Sequence, residues 1–426
     1  MRILHFTNIP LNIDVLKSSG KELNTSGGWM AALLGEMLKQ TDFTFCCIAF
    51  GDVKEVQESH IDRVISYTVP GDLVGRSIDK SLAICKELVD EWQPDLIHIH
   101  GTEAAYGLLT ANKMVKYPAI ISLQGLLGPY SSWYHSFGNL SFIQILKTHR
   151  LLEILTGRGV FWRYLQIRNM AKREKRIIAQ NHHFMGRTDW DRAYIKAINP
   201  SATYHYGGEI LRKPFSDSRW DLQQSQRYRI IFTNAGAYPR KGTEVLLDAV
   251  KLLKPRFPDI EVAIAGHLSN RSGYGRYIRK RIEELGSTAV ELGPLNAEQM
   301  ADELVKSHVF VSPSFIDNSP NSVCEAQLIG MPVVSSYTGG VPSLIEEGKT
   351  GLFFPAGDVP MLASRLEKIF ENDGMATALG QQANEVAAKR HDPASIVKDV
   401  VNAYEAILDK TFTTCGSNLK NEENIH

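Results

Sequence analysis

The stretch S-F-I-D-N-S-P-N-S-V-C-E-A, residues 314–326, decides the reading of this chain. Asp317 and Glu325 stand eight positions apart, and N-S-P-N-S between them ends one element and starts another. Before it, V-F-V-S-P-S predicts a buried strand running into a loop. After it, S-V-C-E-A-Q-L-I-G-M-P predicts a helix closed by Gly330 and Pro332. Asp317 then belongs to the loop and Glu325 to the helix, one to two turns in. The first N–H groups of such a helix are free to hold a phosphate. The two carboxylates can accept hydrogen bonds from vicinal hydroxyls. Phosphate donors beside hydroxyl acceptors describe a sugar-nucleotide site.

Outward from this stretch, apolar strands alternate with helices. R-I-L-H-F-T, D-F-T-F-C-C-I-A-F, D-L-I-H-I-H and A-I-I-S-L predict buried strands in the first half, with helices near 77–92 and 104–116. The pattern restarts at 229–236. Helices are predicted over 243–254, 274–285 and 297–306, with strands E-V-A-I-A-G, A-V-E-L and H-V-F-V-S between them. Continuous apolar strands separated by helices imply parallel sheets covered on both faces. The expected fold is α/β, with two doubly wound, Rossmann-like domains facing across a cleft. The expected domains are 1–210 and 211–393, joined through a polar stretch near 210–228. Ligands of such sheets bind outside the carboxyl ends of the strands.

Composition bounds the alternatives. The 426 residues suit two domains, and 43% hydrophobic with 22% charged residues describes a soluble globular chain. Lys plus Arg and Asp plus Glu both number 47, so no global field selects nucleic acid. No window has the ~20 apolar residues of a membrane span, and the N-terminus reads as a strand rather than a leader. Five cysteines without metal spacing suggest buried, reduced thiols and a cytoplasmic location. The G-x-G-x-x-G fingerprint is missing, which disfavours an NAD dehydrogenase.

The stretch resembles a GT-B-type glycosyltransferase of the large retaining family 4, also called group 1. That family carries two acids eight apart, then Ala and G-x-P-V-V. Here these are Asp317, Glu325, Ala326, Gly330, Pro332, Val333 and Val334, the first acid being one methylene shorter than the family's Glu. The similarity continues through Y-T-G-G-V-P-S-L-I-E-E-G-K-T-G-L-F-F-P-A-G-D and covers about residues 228–360. The N-terminal half matches more loosely.

The resemblance implies a retaining, metal-independent transfer of a sugar from a nucleoside diphosphate to an acceptor hydroxyl. Asp317 is expected to hold the donor sugar, and Glu325 the ribose. Arg240 and Lys241 in N-A-G-A-Y-P-R-K-G suit the leaving diphosphate. Lys241 matches the family's Lys-Gly, and Arg240 takes the place of an upstream Arg that falls at Ala237 here. Further donor contacts are expected from Gly27 and Gly28, His100, Gln124, Gly236, Gly266 and His267. The loop residues Asn318, Ser319, Pro320, Asn321 and Ser322, with Gly339 and Gly340, complete the set. Gln124 stands where many family members have His. Arg187 and Thr188 are candidates for the acceptor. No cofactor is expected beyond the donor.

Two other motifs have bland readings. Asp189-Trp-Asp191 spells a metal motif but starts a helix, where capping and the helix dipole favour Asp. His98 and His100 share a strand face and lack a third ligand in the sequence. Residues 147–176 hold nine Lys or Arg against two Glu, with Phe161, Trp162 and Tyr164 among them. A basic aromatic helix of that kind suits an anionic inner-leaflet surface. The resemblance points to bacterial surface polysaccharide or glycolipid assembly, with a saccharide or lipid-linked acceptor. A GT-B-like epimerase and a silent nucleotide-sugar binding protein are the alternatives. The last helix, about 394–412, is expected to cross back to the N-domain, and 413–426 to be a disordered tail.

Overall fold

The computed structural model describes residues 1–11, 28–72, 78–149, 153, 155–157, 159–234, 236, 238–268 and 272–419, with backbone alone at 28 and 410–419. Gly27, Ala237 and the last seven residues lie outside it.

The N-domain sheet runs β3-β4-β2-β1-β5-β6-β7-β8. Its strands are β1 (Arg2–Thr7), β2 (Thr44–Gly51), β3 (Gln57–Ile61), β4 (Val64–Pro70), β5 (Leu96–His100), β6 (Ala119–Ser122), β7 (His183–Gly186) and β8 (Thr203–Tyr206). All pairings are parallel except β3 with β4. The C-domain sheet is parallel throughout, ordered β11-β10-β9-β12-β13-β14. It consists of β9 (Gln226–Thr233), β10 (Glu261–Ala265), β11 (Ala289–Gly293), β12 (Ser307–Ser312), β13 (Val333–Ser336) and β14 (Leu352–Phe354). The central strands β2, β5 and β12 are buried on both faces, which is why their sequences are largely apolar.

The β3–β4 hairpin is absent from the pattern read in the sequence, because Q-E-S-H-I is a solvent-exposed edge strand with no apolar alternation. The helix expected near 104–116 is only Gly107–Ala111, and Lys113 follows it with a left-handed φ of 55°. The polar stretch near 210–228 is not a plain linker. It holds a helix, Lys213–Asp217, and Trp220 donates its indole N–H to the Ser307 carbonyl at 2.8 Å.

The final helix, Pro393–Leu419, crosses back to the N-domain and runs past the end expected at 412. Ile396, Val400, Ala403, Tyr404 and Ile407 pack with Ile3, Leu34 and Phe45. A second bridge runs the other way. Phe137, Leu140 and Ile145 of the N-domain join the C-domain core around Phe315 and Phe354. Tyr134 donates to the Ala356 carbonyl at 2.9 Å, and Asn139 to that of Gly357 at 2.7 Å. The two sheets are thereby held face to face. No described helix is long and apolar enough to cross a membrane.

Candidate active site

Lys241, Gly266, Asp317 and Gly339 each follow a C-domain strand, β9, β10, β12 and β13 respectively. Parallel strands place all four at one sheet edge, facing the N-domain. Lys241 ends a tight turn, Pro239–Lys241, and Gly242 after it has φ 67°. A Cβ there would lie 2.0 Å from the Pro313 carbonyl oxygen, so only Gly brings this loop against the one that carries Asp317. Lys241 Nζ donates to Asp317 Oδ2 at 2.6 Å, and Ser314 Oγ to the same oxygen at 3.3 Å. Gly339 closes the other side with φ 51°, where a Cβ would meet the Asp317 carbonyl oxygen at 1.9 Å.

The helix Asn321–Ile329 starts beside this pair, and Glu325 lies buried in its second turn. Arg212 Nη2 donates to Glu325 Oε1 at 2.9 Å. Burial pushes the Glu325 carboxyl above its ordinary pKa, and the Arg212 charge opposes that rise. Asn321 donates to Glu209 Oε1 at 2.6 Å.

Several predicted contacts have structural partners instead of open faces. Asn318, 1% exposed, spans the cleft. Its amide donates to Asp191 Oδ2 at 3.1 Å, and its carbonyl accepts from Thr188 Oγ1 at 2.8 Å. Thr188 also caps the helix Asp189–Ile198, accepting from Asp191 N at 3.1 Å. The cap is thus Thr188 and not Asp189. Asp191 is buried in an interdomain network with Tyr204, whose hydroxyl donates to it at 2.5 Å. Arg187, its side chain 10% exposed, is ion-paired with Glu209. Ser319 and Pro320 are buried beside Asn318, Ser322 is half-buried in the first helical turn, and Gly340 donates its N–H to the Asp317 carbonyl at 3.0 Å. His267 is exposed after Gly266, and Gly236 is exposed before Arg240. Gly28 is the first residue of the helix Gly28–Gln40.

Gln124, His100, Arg187, Glu209 and Trp29 line one pocket on the N-domain wall. His100 has the third imidazole that the sequence did not reveal. Parallel pairing of β1 with β5 sets His5 opposite His98. His5 Nδ1 and His100 Nε2 share a hydrogen bond of 2.8 Å. One ligand atom from each of the three rings lies within 4.8 Å of the others, close enough to hold a metal ion. Against that use, His98 and His100 stack at 3.9 Å, and both His98 nitrogens bond hydroxyls, of Tyr404 and Ser122, at 2.6 Å. Burial lowers all three pKa values, so the rings are neutral.

Sequence reasoning missed Arg212 and Glu209. Their signal is the G-G-E-I-L-R run just after β8, at the same cleft edge. It also missed Tyr130, whose ring packs against Arg240 at 5.7 Å.

Known proteins resemble this chain in its C-terminal domain and in its fold. Residues 215–386 match the family model Glycosyl transferases group 1. The chain is 24% identical over 348 residues to the sulfoquinovosyl transferase SQD2 of Arabidopsis thaliana, covering 78% of this chain and 61% of that one. It is 28% identical over 174 residues to a D-inositol 3-phosphate glycosyltransferase of Pseudarthrobacter chlorophenolicus, covering 40% of this chain and 41% of that one. The chain therefore spans less than two thirds of these relatives. Among solved structures, sucrose-phosphate synthase from Thermosynechococcus elongatus superposes with a TM-score of 0.73 at 16% identity, over 96% of this chain and 99% of that one. Anabaena HepE in complex with UDP-glucose gives 0.65 at 16% identity, over 95% and 100%. The C-terminal domain thus matches the glycosyl transferases of group 1 over residues 215–386, and the two facing sheets share the GT-B fold of the solved structures.

Proposed function

We propose that the protein is a retaining glycosyltransferase that moves a sugar from a nucleoside-diphosphate sugar to an acceptor hydroxyl. The observation that carries this is Lys241 paired with Asp317 beside the helix start that bears Glu325. A diphosphate takes Lys241 and the free N–H groups of that helix start. Asp317, released from Lys241, accepts from donor-sugar hydroxyls. Glu325, held through Oε1 by Arg212, keeps Oε2 for the ribose. Positive charge waits where the leaving diphosphate gains negative charge, which is the electrostatic part of catalysis. The acceptor hydroxyl attacks on the face that the diphosphate leaves, and a phosphate oxygen takes its proton.

Gln124 suits a donor-sugar hydroxyl, because an amide donates and accepts without titrating. Anabaena HepE binds UDP-glucose in its structure, which favours a nucleotide sugar as donor here. The sequence resemblance over about 228–360 favours glycolipid or polysaccharide assembly. An acceptor on an anionic inner-leaflet surface fits the exposed Phe142, Ile143, Leu146, Phe161 and Trp162 near the basic helix Val160–Gln180. No step uses a metal.

Release of nucleoside diphosphate from a nucleotide sugar, with and without acceptor in excess EDTA, tests the reading. Acceptor-dependent release supports transfer. Turnover without acceptor would make the protein an epimerase, and binding without any turnover a silent binding protein.

A further inference from the structure

Two exposed tyrosines, one from each domain, face one open groove. Tyr134 belongs to the short N-domain helix Trp133–Phe137 and is 45% exposed. Tyr337 directly follows β13 of the C-domain and is 64% exposed. Phe315, Phe353, His135 and Arg365 line the groove with them, and it measures about 670 Å³. Small-molecule sites span ~300–1,000 Å³, so there is room for more than one sugar ring. Both tyrosine rings are held in place. Tyr134 meets Phe315 edge to face at 5.3 Å, and its hydroxyl donates to the Ala356 carbonyl at 2.9 Å. Tyr337 meets Phe353 in the same manner at 5.1 Å, and its backbone N–H donates to the Phe354 carbonyl at 2.9 Å. Rings fixed in advance lose little freedom when a ligand covers them.

The chemistry of the wall narrows the occupant. Arg365 is the one Lys, Arg, Asp or Glu in it. Its guanidinium is paired with Glu347 at 3.2 Å and donates to the Phe353 carbonyl at 2.8 Å. No uncompensated charge is left to attract an ion. The Tyr337 hydroxyl makes no hydrogen bond among the described residues. His135 donates Nδ1–H to the Pro129 carbonyl at 2.9 Å, which leaves Nε2 to accept. Aromatic surface beside single hydrogen-bonding groups matches a pyranose, which has C–H groups on its faces and hydroxyls round its edge. The negative face of an aromatic ring attracts such C–H groups.

The groove runs outward along the edge strand β14 and begins where the donor loops end. Phe315 lies two positions before Asp317, and Thr338, also in the wall, one before Gly339. Lys241, Asp317, Glu325 and Gly339 themselves do not line it. It is thus beside the transfer centre and not within it.

We propose that this groove is a second, non-catalytic saccharide site, which holds a neutral sugar chain on Tyr134 and Tyr337 as stacking platforms. The choice of a saccharide rests on the proposed sugar transfer. The groove itself stands on its own residues.

The test is calorimetric titration of maltohexaose, cellohexaose and chitohexaose into the full chain, with UDP, GDP and ADP titrated in parallel. At least one hexaose should bind, and more tightly than its own monosaccharide. Tyr337→Ala should weaken it by at least about fivefold, the scale of one lost aromatic contact, and leave nucleotide affinity within about twofold. Tyr337→Phe keeps the ring and should keep most of the binding. Tyr337 is 64% exposed, so neither variant threatens the fold, and thermal unfolding checks this. Binding of none of the three hexaoses overturns the proposal, as does equal binding in parent and Tyr337→Ala. A hexaose that binds no better than its monosaccharide, or that bound nucleotide displaces, overturns it too. A parent dimer that dissociates in Tyr337→Ala would assign the groove to a second copy of the chain instead. Nucleotide binding without hexaose binding sinks the groove alone, and the reverse sinks the donor reading alone.

Discussion

Lys241 Nζ sits 2.6 Å from Asp317 Oδ2, across two loops that follow neighbouring strands. Both side chains are mostly buried, at 19% and 15% exposure. Each group is thus the other's partner. On the proposed reading, a donor exchanges this pair for phosphate on Lys241 and sugar hydroxyls on Asp317.

That exchange separates the two residues in an experiment. Asp317→Ala should remove most transfer while nucleoside diphosphate still binds, and binds no weaker, since Lys241 loses its competitor. Asp317→Asn should behave the same way in binding. Steady-state transfer and equilibrium binding of free nucleotide check this. Loss of nucleotide binding in both variants would show that Asp317 supports the phosphate site and not the sugar.

Arg212 tunes Glu325. Burial raises the Glu325 pKa and Arg212 opposes the rise. Removing the guanidinium leaves the acid easier to protonate. Arg212→Ala should therefore move the acidic limb of donor binding to higher pH, and Arg212→Lys should move it part of the way back. An unshifted limb in Arg212→Ala would detach Arg212 from the donor site.

Asn318 ties the domains together through Thr188 and Asp191. Asn318→Ala leaves buried partners unsatisfied and should cost about 1–3 kcal/mol of stability. It should also widen the cleft. Denaturant unfolding and solution scattering read the two effects. A variant as stable and compact as the parent would mean that the link holds nothing.

Glu244 is buried in the C-domain core and accepts from the Tyr274 hydroxyl at 2.7 Å. Burial pushes its pKa up to about 7. The folded state then binds a proton that the unfolded chain releases near pH 4.5. This contribution to stability is full below about 4.5 and is lost as pH rises through about 7. Glu244→Gln should flatten the stability profile across that window. A parent profile with no fall there, or one that persists in the variant, contradicts the assignment.

The sheets were legible because their strands are buried on both faces, and such strands leave continuous apolar runs. Asp317 and Glu325 were legible for a local reason, since a strand, a loop and a helix start are contiguous in sequence. Lys241 follows β9, where the same strand-end logic puts it. What the sequence hid is pairing across distance. Nothing near Glu325 announces Arg212, 113 positions away. His5 meets His98 only through sheet register. Asn318 looks like a loop residue until the N-domain supplies Thr188 and Asp191. The β3 edge was missed because solvent, not packing, chose its residues.

The central claim is that Lys241 and Glu325 form one nucleoside-diphosphate site. Calorimetric titration of UDP, GDP and ADP into the parent, Lys241→Ala and Glu325→Gln tests it most directly. One nucleotide should bind the parent, and each variant should lose at least about tenfold in affinity, as for one charge-assisted hydrogen bond. Binding of none of the three to the parent, or equal binding in both variants, would contradict the claim.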